Sequence, residues 1–460
     1  MFNLQSQIPM VTTIFKGRNS VPVVRLNSFG LRHYHASGKK EIVPVIVGVG
    51  IIAVCHYSWR AFKRMDEEWQ EYQWKLQQYE RKHGVVNNDR IKYPDGTVAI
   101  DLGTFYLKLA KDRQVLTNRE GGRFTFGGLV QSDETALVGH RAFEKYYEVP
   151  DGLRYMAGQD NTYIPKVVQS ALDDILDREN TNMNKIRPVA TFPPAKWEGY
   201  RNAFSNIFTN PAIIPEPVAA IWGAQIQNEI PHDLNTPVLV IDIGGFETTF
   251  SVVKKNVILS TATLHIGGDL FVQAIVDYVT GERPTIKNDG MALQRVYLAA
   301  HAAVTEINTN SHADLNVPYI GMNMTTRQPE HLQERVPRKV IEQLVETAIL
   351  KNMDESKLSS HMPPPTNLTF MWISILTQFL EITGLTPMQL SHILLVGGGS
   401  KHPLMESTVK ECFVTLQGNI DNFIVPQERS ELVAKGASSL LPNYGYDVEK
   451  GLVRQDDSSA

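Results

Sequence analysis

Two stretches decide the reading. They are Val98-Ala-Ile-Asp101-Leu-Gly103-Thr104-Phe105-Tyr-Leu-Lys-Leu-Ala110 and, about 140 residues on, Leu239-Val-Ile-Asp242-Ile-Gly244-Gly245-Phe246-Glu247-Thr-Thr-Phe-Ser-Val-Val253. Each begins as an apolar run of the kind a strand buried on both faces needs, ends that run in an acid, turns on glycine and resumes as a second strand. Glycine lets such a turn bring backbone N–H groups close to phosphate oxygens. An acid at the strand end, Asp101 or Asp242, is placed to hold a hydrated divalent cation beside those phosphates. One element of this kind is equally an ordinary hairpin, with its acid capping a turn. Two in tandem point to a duplicated α/β fold that clamps a nucleotide between its halves.

The segments that follow carry a resemblance. Pro188-Val-Ala-Thr-Phe-Pro193-Pro-Ala-Lys-Trp-Glu-Gly-Tyr-Arg201 is a strand ending in proline that feeds a helix, and Ile214-Pro-Glu216-Pro217-Val-Ala-Ala-Ile-Trp-Gly223 opens another helix. Leu264-His265-Ile-Gly267-Gly268-Asp269-Leu-Phe271, His392-Ile-Leu-Leu-Val-Gly397-Gly398-Gly399-Ser400 and Glu431-Leu-Val-Ala-Lys-Gly436-Ala437 complete the set. In kind and order these resemble the nucleotide-binding domain of the heat shock protein 70 family, a branch of the actin-like ATPases, over about residues 95–442. The resemblance implies a two-lobed, ribonuclease H-like duplicated fold that binds ATP or ADP with magnesium. It assigns catalytic roles to Asp101, Asp242, Pro193 and Glu216, with Asp101 and Asp242 holding magnesium through water. Nucleotide contacts would come from Gly103, Thr104, Gly244, Gly245, Gly267, Gly268, Gly397, Gly398, Gly399 and Lys401.

This chain departs from the family where the chemistry is done. Phe105 stands where the family has a hydroxyl residue, Phe246 where it has a third glycine, and Glu247 where it has the threonine beside the terminal phosphate. A ring denies close backbone approach, and a carboxylate repels phosphate unless a cation intervenes. The family's first-lobe lysine has no counterpart in a matching motif, and the segment that would hold it is short. His301 and Val304 stand where the family helix holds the ribose, and Lys401 where arginine lies near the base. Phosphoryl transfer depends on positioning and charge neutralisation, so turnover is expected to be weak or absent.

The first ninety residues read differently. Met1 to Lys40 contains no acid but carries Lys16, Arg18, Arg25, Arg32, Lys39 and Lys40, the composition of a mitochondrial transit peptide, here placed at 1–38. The apolar run Ile42 to Tyr57, bordered by basic residues and extended to Trp59, reads as a single membrane helix at 42–59. Phe62, Met65, Trp69, Tyr72, Leu76 and Tyr79 then repeat at heptad spacing, giving an amphipathic helix at 60–84. The inner mitochondrial membrane is the expected location, with the side left open.

Composition adds exclusions. A net charge of −4 gives no bulk reason to expect a nucleic-acid partner, and two cysteines, Cys55 and Cys412, make neither a disulfide framework nor a zinc site. After residue 442 only an 18-residue tail, 443–460, remains, so the family's peptide-binding groove is not expected. Two readings stand. One is a membrane-anchored ATP-binding protein assisting folding, import or assembly. The other is a pseudo-ATPase serving as a structural subunit among protein partners in an inner-membrane complex.

Overall fold

The computed structural model describes residues 11–14 and 97–455, apart from 104, 119–120, 127, 132–135, 146–152, 157–163, 179–186, 209–210, 233–234, 323–325, 354–366, 418–420, 441–443 and 448–451. The chain divides into two units, one joining Met1–Val23 with Tyr93–Ala460 and the other being Val24–Lys92. The expected membrane helix at 42–59 and heptad helix at 60–84 lie outside the described residues, as does the expected transit peptide save β1 (Val11–Ile14). Among the described residues no helix is long and apolar enough to cross a membrane.

The first quoted stretch forms the hairpin β2 (Thr97–Leu102) and β3 (Tyr106–Lys111). All six residues of β2 are buried, as the unbroken apolar run requires. β4 (Gln114–Val115) and β5 (Thr125–Phe126) both pair with β3. A separate small sheet, in the order β7–β6–β8, follows from β6 (Gly128–Gln131), β7 (Ala136–Val138) and β8 (Leu153–Met156), with helix α1 (Gly139–Glu144) between the last two. This is the abbreviated first-lobe segment. Helix α2 (Ile164–Arg178) leads to β9 (Arg187–Phe192), α3 (Trp197–Ser205), β10 (Ala212–Pro215) and α4 (Glu216–Ile226). β2, β9 and β10 run parallel, giving the order β10–β9–β2–β3–β4.

The second stretch repeats the plan. β11 (Val238–Ile243), β12 (Thr248–Lys254) and β13 (Val257–Leu264) form an antiparallel meander. Next come α5 (Gly268–Glu282), α6 (Gly290–Glu306), the hairpin β14 (His312–Met322) and β15 (Pro329–Pro337), α7 (Arg338–Asn352) and α8 (Leu368–Thr383). β16 (His392–Val396), α9 (Pro403–Gln417), β17 (Phe423–Ile424) and α10 (Leu432–Ala437) close the unit. β16 lies parallel to β11 and β17 parallel to β16, so the order β1–β13–β12–β11–β16–β17 mirrors the first sheet. The segment expected to be a plain tail holds a further hairpin, β18 (Tyr444–Asp447) with β19 (Leu452–Gln455).

α4 and α10 cross between the sheets, and their shared core takes Ala99, Val189 and Ile214 from one sheet and Val238, Val240 and Leu394 from the other. The crossing is close because Gly436 faces the Ala219 carbonyl and Gly223 faces the Leu432 carbonyl, each with no room for a methyl group. Gly436→Ala is expected to cost about 2 kcal/mol, because a rigid backbone rather than a side chain must give way. Urea unfolding checks this, and a loss under about 0.5 kcal/mol, the scale of a surface change, would show that the helices separate freely.

Candidate functional site

The β2–β3 and β11–β12 turns face each other across the mouth of a cleft of about 410 Å³. In the family resemblance these turns bracket phosphate, but here they touch. A Cβ on Gly245 would collide with the Cβ of Phe105, so the missing side chain on one turn is filled by the ring-bearing carbon of the other. Phe105 is 5% exposed. Its ring lies 5.2 Å from Phe126, 5.9 Å from Phe246 and 5.6 Å from His301, the last a parallel stack. Phe143 adds an edge contact at 6.2 Å, and the Tyr106 hydroxyl hydrogen-bonds His301 Nε2 at 3.0 Å. Burial lowers the His301 pKa, favouring the neutral ring that such a stack accommodates. An aromatic bridge therefore joins the first turn to α6, which belongs to the other sheet's half.

Behind the turns sits a cluster of charge. Asp101 and Lys108 are directly opposite in the β2–β3 register, and Lys108 Nζ donates to Asp101 Oδ2 at 2.6 Å. Thr191 Oγ1 donates to Asp101 Oδ1 at 3.3 Å. Burial, the largest influence on Lys108, would lower its pKa, yet the charges of Asp101, Asp242 and Glu216 and the hydrogen bond raise it above its ordinary value. Asp242 ends the buried run of β11, and burial pushes it up to about 6. Glu216, the first residue of α4, is pushed well above the carboxylate range by burial and by Asp101 and Asp242. Glu247 is buried, but Lys196 Nζ reaches both of its oxygens, at 2.8 and 2.9 Å. Lys196 comes from the single turn Pro194–Lys196 that follows Pro193.

The far end of the cleft is less filled. It is lined by Val304, Thr305 and Asn308 at the end of α6, by Gly397–Gly399 and Lys401 after β16, and by His402, Arg429 and Ser430. Gly397 has φ 91, and a Cβ there would strike the Asp242 carboxylate, so only glycine suits the turn. Gly398 faces open space, which leaves its backbone accessible. Several polar atoms here are buried without a hydrogen-bond partner: Asn308 Oδ1, Ser430 Oγ and both nitrogens of His402. Such atoms ordinarily find a partner, and each one left without it costs roughly 1–3 kcal/mol.

His402 is 1% exposed and packs on Phe271 at 5.0 Å, with its pKa lowered by burial to about 4. The folded state thus binds its proton less readily than the unfolded chain. Its stabilising contribution is complete above pH 6.5 and is lost as pH falls toward 4. By pH 5 the loss is expected to reach about 2 kcal/mol. Thermal unfolding across that window checks this, and His402→Phe should flatten the decline. An unchanged slope in that variant would assign it elsewhere.

Asp101, Gly103, Pro193, Glu216, Asp242, Gly244, Gly245, Gly268, Gly397, Gly398, Gly399 and Lys401 all line the cleft. Gly267 does not border it; its missing side chain lets it pack on the Gly245 and Phe246 backbone. Gly268 N and Asp269 N donate to the Gly244 and Gly245 carbonyls at 3.0 and 2.7 Å, so the 267–268 turn holds the shape of the second turn. Thr104 lies outside the described residues. The sequence reading missed Lys108 and Lys196. Lys108 had a legible signal, because a residue seven after the strand-end acid faces it across the hairpin, as Thr249 faces Asp242. Lys196 had none, since its partner lies 51 residues away. The two turns leave no gap between Phe105 and Gly245, while the turn at Gly398 stays open.

Residues 212–360 match the family model described as Hsp70 protein. The chain is 24% identical over 348 residues to the chaperone protein DnaK of Halobacterium salinarum, covering 68% of this chain and 51% of that protein. For DnaK of Thermus thermophilus the values are 26% over 353 residues, 72% and 52%, and for DnaK of Thermosipho melanesiensis 27% over 356 residues, 69% and 55%. The chain spans about half the length of the curated relatives it matches. The duplicated two-sheet α/β fold, the cleft between matching turns and these similarities agree, and the chain carries a divergent nucleotide-binding domain of the heat shock protein 70 family.

Proposed function

We propose that this domain binds an adenine nucleotide without hydrolysing it, as a chaperone-family protein held at the inner mitochondrial membrane that assists folding, import or assembly. The observation that carries the binding is the glycine turn Gly397–Gly399 lining the cleft, where Gly398 faces open space and leaves its backbone accessible beside Lys401. Accessible backbone at such a turn lets a purine and its ribose lie close and find fixed donors and acceptors. Loss of turnover follows from the contact between the two turns and from Lys196 being committed to Glu247. With the gap between the turns filled, a terminal phosphate has no seat at which a water could be aimed against it. The membrane location rests on the basic, acid-free leader and the apolar run after it.

Isothermal titration calorimetry of the full chain with ADP and ATP tests the reading, together with phosphate release. Micromolar binding of ADP, with no phosphate release from ATP above background, is expected. Turnover comparable to an active chaperone ATPase, or no heat with either nucleotide in folded protein, sinks it.

A second reading is a pseudo-ATPase used as a fixed structural subunit of a membrane complex. The aromatic bridge from Phe105 to His301 favours it, because a lobe-to-lobe contact without a ligand removes the need for nucleotide to hold the cleft closed. Copurification with a membrane complex unaffected by nucleotide depletion distinguishes it.

A further inference from the structure

The two acids implied to hold magnesium are not equivalent. Asp242 faces Thr249 across its hairpin, whereas Asp101 faces Lys108. The Lys108 ammonium is 2.6 Å from one Asp101 oxygen while Thr191 occupies the other, so both are engaged. The Lys108 side chain is 14% exposed and the Asp101 side chain 3%. Its surroundings include the charges of Asp242 and Glu216 as well. A hydrated magnesium ion needs carboxylate oxygens free to hold its water, and it would here meet an ammonium already seated among them. The implied magnesium does not fit.

Each of the two lysines at the pocket floor touches one carboxylate, Lys108 that of Asp101 and Lys196 that of Glu247.

We propose that Lys108 is a built-in cation in place of the divalent metal, so that this cleft takes a purine nucleoside mono- or diphosphate with no metal requirement. The ligand class rests on the nucleotide-binding reading above. The limit on phosphate number follows from Phe105 closing the gap between the turns. The metal substitution rests on Lys108 alone and stands or falls by itself.

The test has two arms on the full chain. In the first, Mn2+ alone is titrated and followed by electron paramagnetic resonance, which counts bound ions without any nucleotide. Wild type is expected to show no stoichiometric site. Lys108→Ala, which frees Asp101, is expected to gain one, with the midpoint of thermal unfolding rising by about 3 °C on adding Mn2+. A site in wild type that Asp242→Asn abolishes overturns the proposal, and so does Lys108→Ala protein that folds yet gains none. Should that variant not fold, Lys108→Gln replaces it, and the wild-type result decides regardless. In the second arm, AMP and ADP affinities are compared in magnesium and in chelator. They should agree within about twofold, and a loss beyond about tenfold in chelator overturns metal independence. If neither nucleotide binds, the reading of the cleft as a nucleotide site fails, while the Mn2+ arm still decides the role of Lys108.

Discussion

Phe105→Ala is expected to lower the free energy of unfolding by about 4 kcal/mol, a large part of what a domain has. The ring is 5% exposed and touches Phe126, Phe143, Phe246 and His301, so its removal leaves a void between elements of both halves. Those neighbours are anchored in β5, α1, α6 and the β11–β12 turn and cannot collapse together into the space. Phe105→Leu, which keeps most of the volume, is expected to cost under about 1.5 kcal/mol. Urea denaturation of both variants measures the difference. If Phe105→Ala costs less than about 1 kcal/mol, on the scale of a side chain with room to relax, the ring is not what joins the halves. Hydrogen exchange should show the same loss locally, with faster exchange in α6 and in the β2–β3 hairpin.

Lys196→Ala is the second large effect, expected to cost about 3 kcal/mol. It leaves Glu247, 7% exposed, as a buried carboxylate without its cation, and stranding one partner of a buried pair is costly. The lysine side chain is 26% exposed, which holds the expectation to the lower end of the range for such pairs. The double variant Lys196→Met with Glu247→Gln removes both charges and should recover most of the loss. Chemical unfolding of the two single variants and the double variant gives the coupling energy directly. If the double variant is as unstable as the single, the cost comes from packing of the lysine stem and not from charge.

The two effects share a cause. A phosphate between two glycine turns supplies bulk and negative charge that hold the halves of such a fold together. Here Phe105 fills the space between the turns and Lys196 balances the Glu247 charge, so the junction of the two turns is already packed without a ligand. These residues make the meeting of the two turns a filled and charge-paired junction.

The plan of the fold was legible in the chain because it rests on local patterns. The buried runs ending at Asp101 and Asp242 form β2 and β11, and the second strands form β3 and β12. Both sheets repeat the same order because these runs need two covered faces and parallel neighbours. Gly397, Gly398 and Gly399 were legible through the resemblance their motif carries, and at Gly397 a positive φ and a close carboxylate admit little but glycine. Phe105, Phe246 and Glu247 were legible as departures, but their consequence was not. Which cation meets Glu247, and which ring meets His301, depend on contacts between residues 51 and 196 positions apart, the latter following from 301 and 105. Periodicity along the chain carries no information about such pairs. Lys108 stood between these cases, for its place opposite Asp101 follows from hairpin register, while its neighbours Asp242 and Glu216 are supplied by other elements. The sequence by itself determined two matching sheets and the acids at their strand ends. The tertiary structure decided that a lysine and an aromatic ring occupy the space between those acids and turns, because only close packing of distant segments sets which charges are neutralised and which gaps remain.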